Sequence, residues 1–323
     1  MSITLYITIK KFYNMQSRAK LVERVLDILK RSDFAISMAC HGKSCFDFLA
    51  RRSMLLLLIK VLINIDTLTY EQAQEMFIIS RNFSAYPLIV GIKTKQADME
   101  EDVVYERFKI FAVTPETLEN ILVYNILPLI FSYRGGYYVR IDGEALKKAR
   151  EERNLSLGDV AERIGVSRKT IYEYEHGNMC ATLNTAIKLE ELFEVSLAKP
   201  IEIFMSRDFE FSHSTVSKNS ELKKLENIGF EVFPVKKAPF NALTKGEDEV
   251  LLTRVQLSSH RLEAKAKILR SISHTVNTQA FFIIRKTKQR CIEGIPVVKK
   301  SELEEMQDAR ELIELIRERA NFI

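Results

Sequence analysis

The spacing of apolar positions changes period several times along this chain, and the changes divide it into three blocks. Before Gly143 helical and extended patterns alternate. A 3.6-residue repeat predicts an amphipathic helix over Arg18 to Lys30 and another over Tyr70 to Arg81. Short apolar runs predict strands at Phe34 to Met38, Met54 to Ile63 and Tyr86 to Lys93. From Asp142 to Phe204 the spacing becomes helical throughout and strand signals almost vanish. After Met205 the alternation returns: a loop at Ser212 to Ser220, a helix from Glu221, strands at Phe230 to Val235 and Val250 to Leu257, and a helix over Leu262 to Ser273. Strands at Ala280 to Ile284 and Ile295 to Val298 and a terminal helix from Ser301 follow. The expected domains are therefore 1–141 and 205–323, both α/β, around an all-helical 142–204.

The two flanking blocks resemble each other. CFDFLARRSMLLLLIKVL at Cys45 to Leu62 lies without a gap on PFNALTKGEDEVLLTRVQ at Pro239 to Gln256, placing Asp47 on Asn241 and Lys60 on Arg254. The order of elements around the segment agrees in both blocks, which points to a duplicated α/β domain interrupted by a helical insert.

The insert is legible position by position. Asp142 caps a first helix over Gly143 to Arg153, with Leu146 and Ala149 on its inner face and Asn154 closing it. Ser156 and Asp159 form an S-x-x-D capping box for a second helix, buried along Val160, Ala161 and Ile164. Gly165 falls where the chain must turn, and a residue without Cβ takes a left-handed conformation at little cost. Ser167 caps a third helix, Arg168 to Glu175, with Ile171 and Tyr174 inward and Arg168, Lys169, Thr170 and Glu173 left for solvent or a partner.

The string NLSLGDVAERIGVSRKTIYEYEHGN resembles the lambda-repressor-like, xenobiotic-response-element family of helix-turn-helix domains. Its framework positions fall on Ala161, Gly165 and Ile171, and Glu175 with Gly177 supplies the family's E-x-G ending. The resemblance implies an Arg150–Glu175 ion pair bracing the first helix against the third. It also implies that the third helix enters the major groove of double-stranded DNA, with Ser167, Arg168, Lys169, Thr170 and Glu173 facing it. In that pose Arg168 offers a fork to guanine and Glu173 accepts from cytosine; the plainer reading of each is a solvated surface residue, and of the whole unit a module for protein contact. Leu157 departs from the pattern, standing where many members carry a DNA-contacting glutamine.

Asp47 lies thirteen positions before Lys60, and with the flanking element order this resembles the PD-(D/E)XK nuclease fold. Such enzymes hold Mg²⁺ on the aspartate and on a second acid two places before the lysine. Here that position is Leu58, and the second copy carries Asn241, Leu252 and Arg254. The expectation is two nuclease-like scaffolds without catalysis, with Arg51, Arg52, Lys60 and the run Arg285 to Arg290 as candidates for phosphate contact. HGKSCFDFLARR, together with a helix-turn-helix near the middle of the chain, is similar to a family of archaeal transcriptional regulators.

Composition narrows the alternatives. With 323 residues, 46% hydrophobic and 28% charged, the chain is globular and long enough for more than one core. Net charge is +5, but the central block carries 9 basic against 12 acidic side chains, whereas 1–141 carries 18 against 14 and 205–323 carries 21 against 17. Phosphate neutralisation supplies most non-specific DNA affinity, so the flanks are expected to contribute it. Cys40, Cys45, Cys180 and Cys291 form no C-x-x-C pair, and Cys40, His41 and Cys45 lack a second pair to complete a zinc site; packing is the expected role. His41, His176, His213, His260 and His274 show no metalloenzyme spacing, and Gly135-Gly136 reads as a hairpin turn rather than a phosphate loop. No metal, cofactor or catalytic residue is expected. No apolar run reaches the ~20 residues of a membrane span, and the N-terminus with Lys10 and Lys11 does not read as a secretory signal. The expected protein is a cytoplasmic, homodimeric, sequence-specific regulator on double-stranded DNA; the alternative is a metal-dependent nuclease or junction-binding protein.

Overall fold

The computed structural model describes residues 17–40, 44–205, 219–247, 249–256 and 262–320. The chain is mixed α/β, with eleven α-helices among the described residues, and it forms two compact units. Among the described residues, one draws on 17–28, Ile63–Asp66 and Val90–Met205, and the other on those within Leu29–Leu62 and Thr67–Ile89 and on those after Met205. Helix α1 spans Arg18–Arg31 and strand β4 spans Tyr86–Lys93.

In the first unit β5 (Val103–Arg107) and β6 (Ile110–Val113) form a hairpin, and α3 (Pro115–Leu122) then carries the chain to β7 (Ile130–Tyr133), parallel to β5. Helix α3 starts where Thr114 accepts a hydrogen bond from the Thr117 amide at 3.1 Å, with Pro115 fixing the first turn. Strand β8 (Gly136–Ile141) returns antiparallel to β7 through Arg134 and Gly135, both at positive φ (48° and 79°), as the twist of a two-residue hairpin requires. From β8 the buried Val139 and Ile141 enter the core of the helices that follow. These are α4 (Gly143–Glu152), α5 (Leu157–Ile164), α6 (Arg168–Glu175) and α7 (Leu183–Phe193).

In the second unit β1 (Ala35–Ile36), β2 (Phe48–Arg52) and β3 (Leu55–Asn64) pair antiparallel, and α2 (Tyr70–Phe83) follows a short 3-10 turn at Ile65–Thr67. The unit also holds a six-stranded sheet of β11 (Glu231–Pro234), β12 (Ala242–Lys245), β13 (Val250–Gln256), β14 (Ala280–Ile284), β16 (Ile295–Lys299) and β15 (Cys291–Ile292), in that spatial order. β13, β14 and β16 run parallel; helix α9 (Leu262–Val276) connects the first two of them. Helices α8 (Ser220–Asn227), α10 (Lys300–Glu305) and α11 (Ala309–Ala320) contribute Leu222, Leu225, Leu303, Leu312 and Ile316 to one apolar cluster with Phe281 and Ile283.

The internal repeat is visible as identical pairing. Phe48 stands opposite Ile59 and Leu49 opposite Leu58, as Ala242 stands opposite Thr253 and Leu243 opposite Leu252, each 194 positions later. Asp47 accepts from the Val61 amide at 2.7 Å through Oδ2, and Asn241 accepts from the Val255 amide at 2.9 Å through Oδ1. An aspartate and an asparagine therefore do the same structural work at the start of the same hairpin.

Several elements differ from the sequence expectation. The expected strand at Met54 to Ile63 is β3, but an unexpected partner, β2, precedes it, the hairpin turning at Ser53 with φ 53°. The terminal helix is broken: Met306 is extended, and Asp308 Oδ1 starts a new helix by accepting from the Arg310 and Glu311 amides at 2.8 and 3.1 Å. The helical block carries two-residue strands, β9 (Ala181–Thr182) and β10 (Ala198–Lys199), both paired with β8. Residues 212–218 of the expected loop, and His41, His213 and His260, lie outside the described residues.

Candidate nucleic-acid interface

Every turn joining α4, α5 and α6 is held by side chains. Ser156 Oγ accepts from the Asp159 amide at 3.1 Å while Asp159 Oδ2 accepts from the Ser156 amide at 2.7 Å, closing the capping box. Gly165 ends α5 at φ 81° and donates to Ala161 O at 2.9 Å; a Cβ there would be strained by the backbone alone. Ser167 Oγ then accepts from the Thr170 amide at 3.0 Å to start α6. Behind these turns Leu146, Val160, Ala161, Ile164, Ile171, Tyr174, Leu189 and Phe193 form one buried cluster.

Helix α4 is locked to the C-terminus of α6 by a forked pair. Arg150 Nε donates to Glu175 Oε1 at 2.5 Å, a terminal amino group donates to Oε2 at 3.0 Å, and the other donates to Leu155 O at 3.0 Å. The Glu175 side chain is only 3% exposed. The bonded Glu175 carboxylate raises the Arg150 pKa above its ordinary value, so the guanidinium keeps its charge. Beside it, Arg153 donates to Leu192 O and Phe193 O, closing the end of α7 with its guanidinium over the Phe193 ring.

The sequence-predicted contact residues do not all present themselves equally. Arg168 and Lys169 are exposed on the first turn of α6, with Ile171 and Tyr174 buried behind them. Thr170 is half-buried and its hydroxyl lies 2.8 Å from that of Ser167, so both are partly occupied in capping. Glu173 is half-buried and accepts from Asn178 Nδ2 at 2.9 Å. Tyr172, 44% exposed and stacked on His176 with ring centroids 3.9 Å apart, joins Arg168 on the outer face; sequence reasoning passed over it, although a position four after Arg168 shares its face. Leu157 is half-buried against the helical core, which accounts for an apolar residue there. Gly143, inside the first turn of α4, is a second residue whose role was not foreseen, as backbone atoms of α6 crowd it.

Of the candidates for phosphate contact in the flanks, Arg285, Lys286, Lys288 and Arg290 are exposed. Lys60 is not available: it is 3% exposed and donates to Ser44 O at 2.6 Å, with Asp47 Oδ1 3.6 Å away. Arg51 donates to Val276 O, and Arg52 donates to Ser32 O while lying over the Phe34 ring. The nuclease-like constellation does not fit a divalent ion. Leu58 has no donor atom, and Asp47 is buried with one oxygen on the Val61 amide and the other facing Lys60.

Two aspartate caps give the helical block an acid sensitivity. The Ala145 amide holds Asp142, and the Ser156 side chain holds Asp159, below the ordinary carboxylate value. A depressed folded-state pKa means that their contribution is complete above the unfolded value of about 3.9 and is lost as pH falls through the lower folded value. Asp142→Asn with Asp159→Asn is expected to flatten the acid limb of a pH titration of helical-block stability; an unaltered limb would refute the assignment.

Comparison with known proteins agrees with this geometry. A family model described as a PD-(D/E)XK superfamily domain matches residues 18–128, and one described as a helix-turn-helix matches residues 146–199. A protein of Thermococcus kodakarensis named "Putative HTH-type transcriptional regulatory protein" is 41% identical over 303 residues, covering 93% of this chain and 95% of the relative. Relatives bearing the same description in Pyrococcus horikoshii and Methanothermobacter thermautotrophicus are each 39% identical, covering 93% and 94% of this chain and 98% and 97% of their own lengths. No solved structure matches the chain at a significant level.

Proposed function

The chain belongs to the archaeal family of HTH-type transcriptional regulatory proteins, and from that membership we propose that it is a sequence-specific regulator that reads the major groove of double-stranded DNA with α6. The observation that carries the reading is the first turn of α6. Arg168 and Lys169 stand exposed on a helix whose opposite face is anchored by Ile171 and Tyr174 and whose start is fixed by Ser167. Arginine at that position offers the planar fork that guanine accepts, and Lys169 a point charge for a base acceptor or phosphate.

The block 142–204 is not basic, so phosphate affinity falls to the flanks, and the exposed run from Arg285 to Arg290 is one source of it. A homodimer belongs to the reading, because one recognition helix reads few base pairs and paired half-sites supply the rest. So do a cytoplasmic location and the three-domain organisation, 1–141, 142–204 and 205–323; the matched hairpins 194 positions apart support the duplication it contains. Among the described residues no helix is long and apolar enough to cross a membrane.

Fluorescence anisotropy on a site selected from random duplexes tests the proposal. Arg168→Ala should lose about 1–3 kcal/mol, or about 5- to 150-fold in affinity, with selectivity relaxed at one base position. Lys169→Ala should weaken all duplexes and lower the salt slope by about one unit if it meets a phosphate. Unchanged affinity and selectivity in both would overturn the reading.

The match of residues 18–128 to a nuclease superfamily favours a second reading, a metal-dependent nuclease or junction-binding protein. Leu58 and the engaged Asp47 argue for a scaffold without catalysis. Supercoiled and four-way-junction DNA should stay intact with Mg²⁺ or Mn²⁺; cleavage abolished by Asp47→Ala would install the alternative.

A further inference from the structure

Within the second unit lies a cavity of about 470 Å³ whose polar lining is Ser44, Lys236, Lys237, Arg254 and Lys265. The rest of its wall includes Cys40, Pro239 and Ile268. Four of these residues are cations and none is acidic. That volume is within the range of small-molecule sites, roughly 300–1,000 Å³.

The repeat explains why positive charge is left over here. In the first copy Lys60 faces Asp47, a carboxylate 3.6 Å away, and donates to a backbone carbonyl, Ser44 O. In the second copy Arg254 takes the place of Lys60 and donates to Pro239 O at 2.7 Å, but the aspartate position holds Asn241. Asn241 is neutral and its oxygen is committed to the Val255 amide. The substitution keeps the hairpin and removes the counter-charge. No described carboxylate forms an ion pair with Arg254, and burial alone lowers its pKa below the ordinary arginine value.

Two further observations point the same way. Arg254 Nε and Ser44 Oγ are buried without a hydrogen-bond partner, a costly condition that native structures seldom leave unanswered. Ser44 as a whole is 8% exposed. Meanwhile Glu75, a carboxylate of the same unit that contacts the lysine segment, accepts from the backbone amides of Lys236 and Lys237 at 2.8 and 2.7 Å. It fixes the position of that segment through the main chain, with the Lys237 charge also acting on it, and both lysines line the cavity. Burial pushes the Cys40 thiol up to about 12, so that wall adds no negative charge.

We propose that this cavity binds a phosphorylated small molecule, with its phosphate on Arg254, Lys236 and Lys237 and its organic part against Cys40, Pro239 and Ile268. A concave site with a half-buried arginine suits a small anion better than a duplex, whose phosphates lie on a convex rod. The proposal is independent of the DNA-binding reading, since all its residues lie outside 142–204.

Calorimetric titration of the full chain with inorganic pyrophosphate and with adenosine 5′-monophosphate tests it. Both probes should bind, the nucleotide more tightly because of the apolar wall. Lys236→Ala with Lys237→Ala should weaken binding by at least about tenfold, equivalent to about 1.4 kcal/mol. Arg254→Met should do the same, and if that variant does not fold, the double lysine variant alone decides. Lys286→Ala with Lys288→Ala, which removes two exposed charges elsewhere, should leave binding unchanged. Failure of both probes to bind, or equal loss in the Lys286 and Lys288 variant, would overturn the proposal. Displacement of the nucleotide by a short duplex, abolished by the cavity variants but not by Arg168→Ala, would assign the site to nucleic-acid phosphate instead.

Discussion

Replacing Arg150 by methionine is expected to loosen the whole helical block, at a cost of about 3–5 kcal/mol. The substitution keeps the aliphatic volume but leaves the Glu175 carboxylate, 3% exposed, without either of the two donors that solvate it. It also strips Leu155 O of this donor within the α4–α5 turn. Arg150→Lys should fall between the wild type and methionine, since a lysine keeps the charge but cannot fork across both carboxylate oxygens. A chain of this size does not unfold in a single step, so the measurement is local: hydrogen exchange of amides in α5 and α6 should accelerate by about two orders of magnitude or more for methionine. Unchanged exchange there would show that the pair is not a brace.

Gly143→Ala is the second large effect, and its sign is opposite to that given by helix propensity. By propensity, alanine in place of glycine in a helix should stabilise by about 1 kcal/mol. Here the added Cβ would stand 2.2 Å from Glu175 O, 2.6 Å from Glu175 C and 2.7 Å from Tyr174 O. These are backbone atoms, and the same turn is held by His176 and Gly177 amides donating to Tyr172 O and Tyr174 O. No flexible side chain can move aside. Overpacking of this kind costs about 1–3 kcal/mol and sometimes more, so the net effect should be a clear destabilisation. The end of α6 must shift, so DNA affinity should fall with it. A Gly143→Ala protein as stable as the wild type in the same exchange measurement would show that α4 and α6 do not approach so closely in solution.

Both effects act through the contact of α4 with the end of α6, and they show where the helix-turn-helix was and was not legible. Local chemistry was enough for its three helices. Ser156 with Asp159, Gly165 and Ser167 each satisfy backbone groups within four residues along the chain, so the starts of α5 and α6 could be placed from spacing alone. The buried positions Ile171 and Tyr174 followed from the helical period. Gly143 did not, because its neighbours in space lie more than thirty residues away.

The α/β blocks were legible in a different way. Their long strands and helices, such as β3, β4 and α9, carry enough periodic residues to be seen, and the repeat at 194 positions is legible because each copy forms the same buried hairpin. The short strands β5, β6 and β7 and the eight-residue helix α3, between Val103 and Tyr133, went unread, since elements this short hold little of either period. Lys60 looked like a phosphate ligand from its type and spacing; its neighbours Ser44 and Asp47, brought together by the hairpin, bury it instead.

By itself the sequence determined what depends on near neighbours: the caps and inner faces of α4, α5 and α6, the outward Arg168 and Lys169, and the duplication with its aspartate-to-asparagine exchange. The tertiary structure alone decided which charges are answered. Lys60 is neutralised by contacts its fold brings close, while Arg254, at the matching position, is left beside a cavity with three lysines. A charge costs little or much according to the partners and the water around it, and those are assembled only when distant parts of the chain meet.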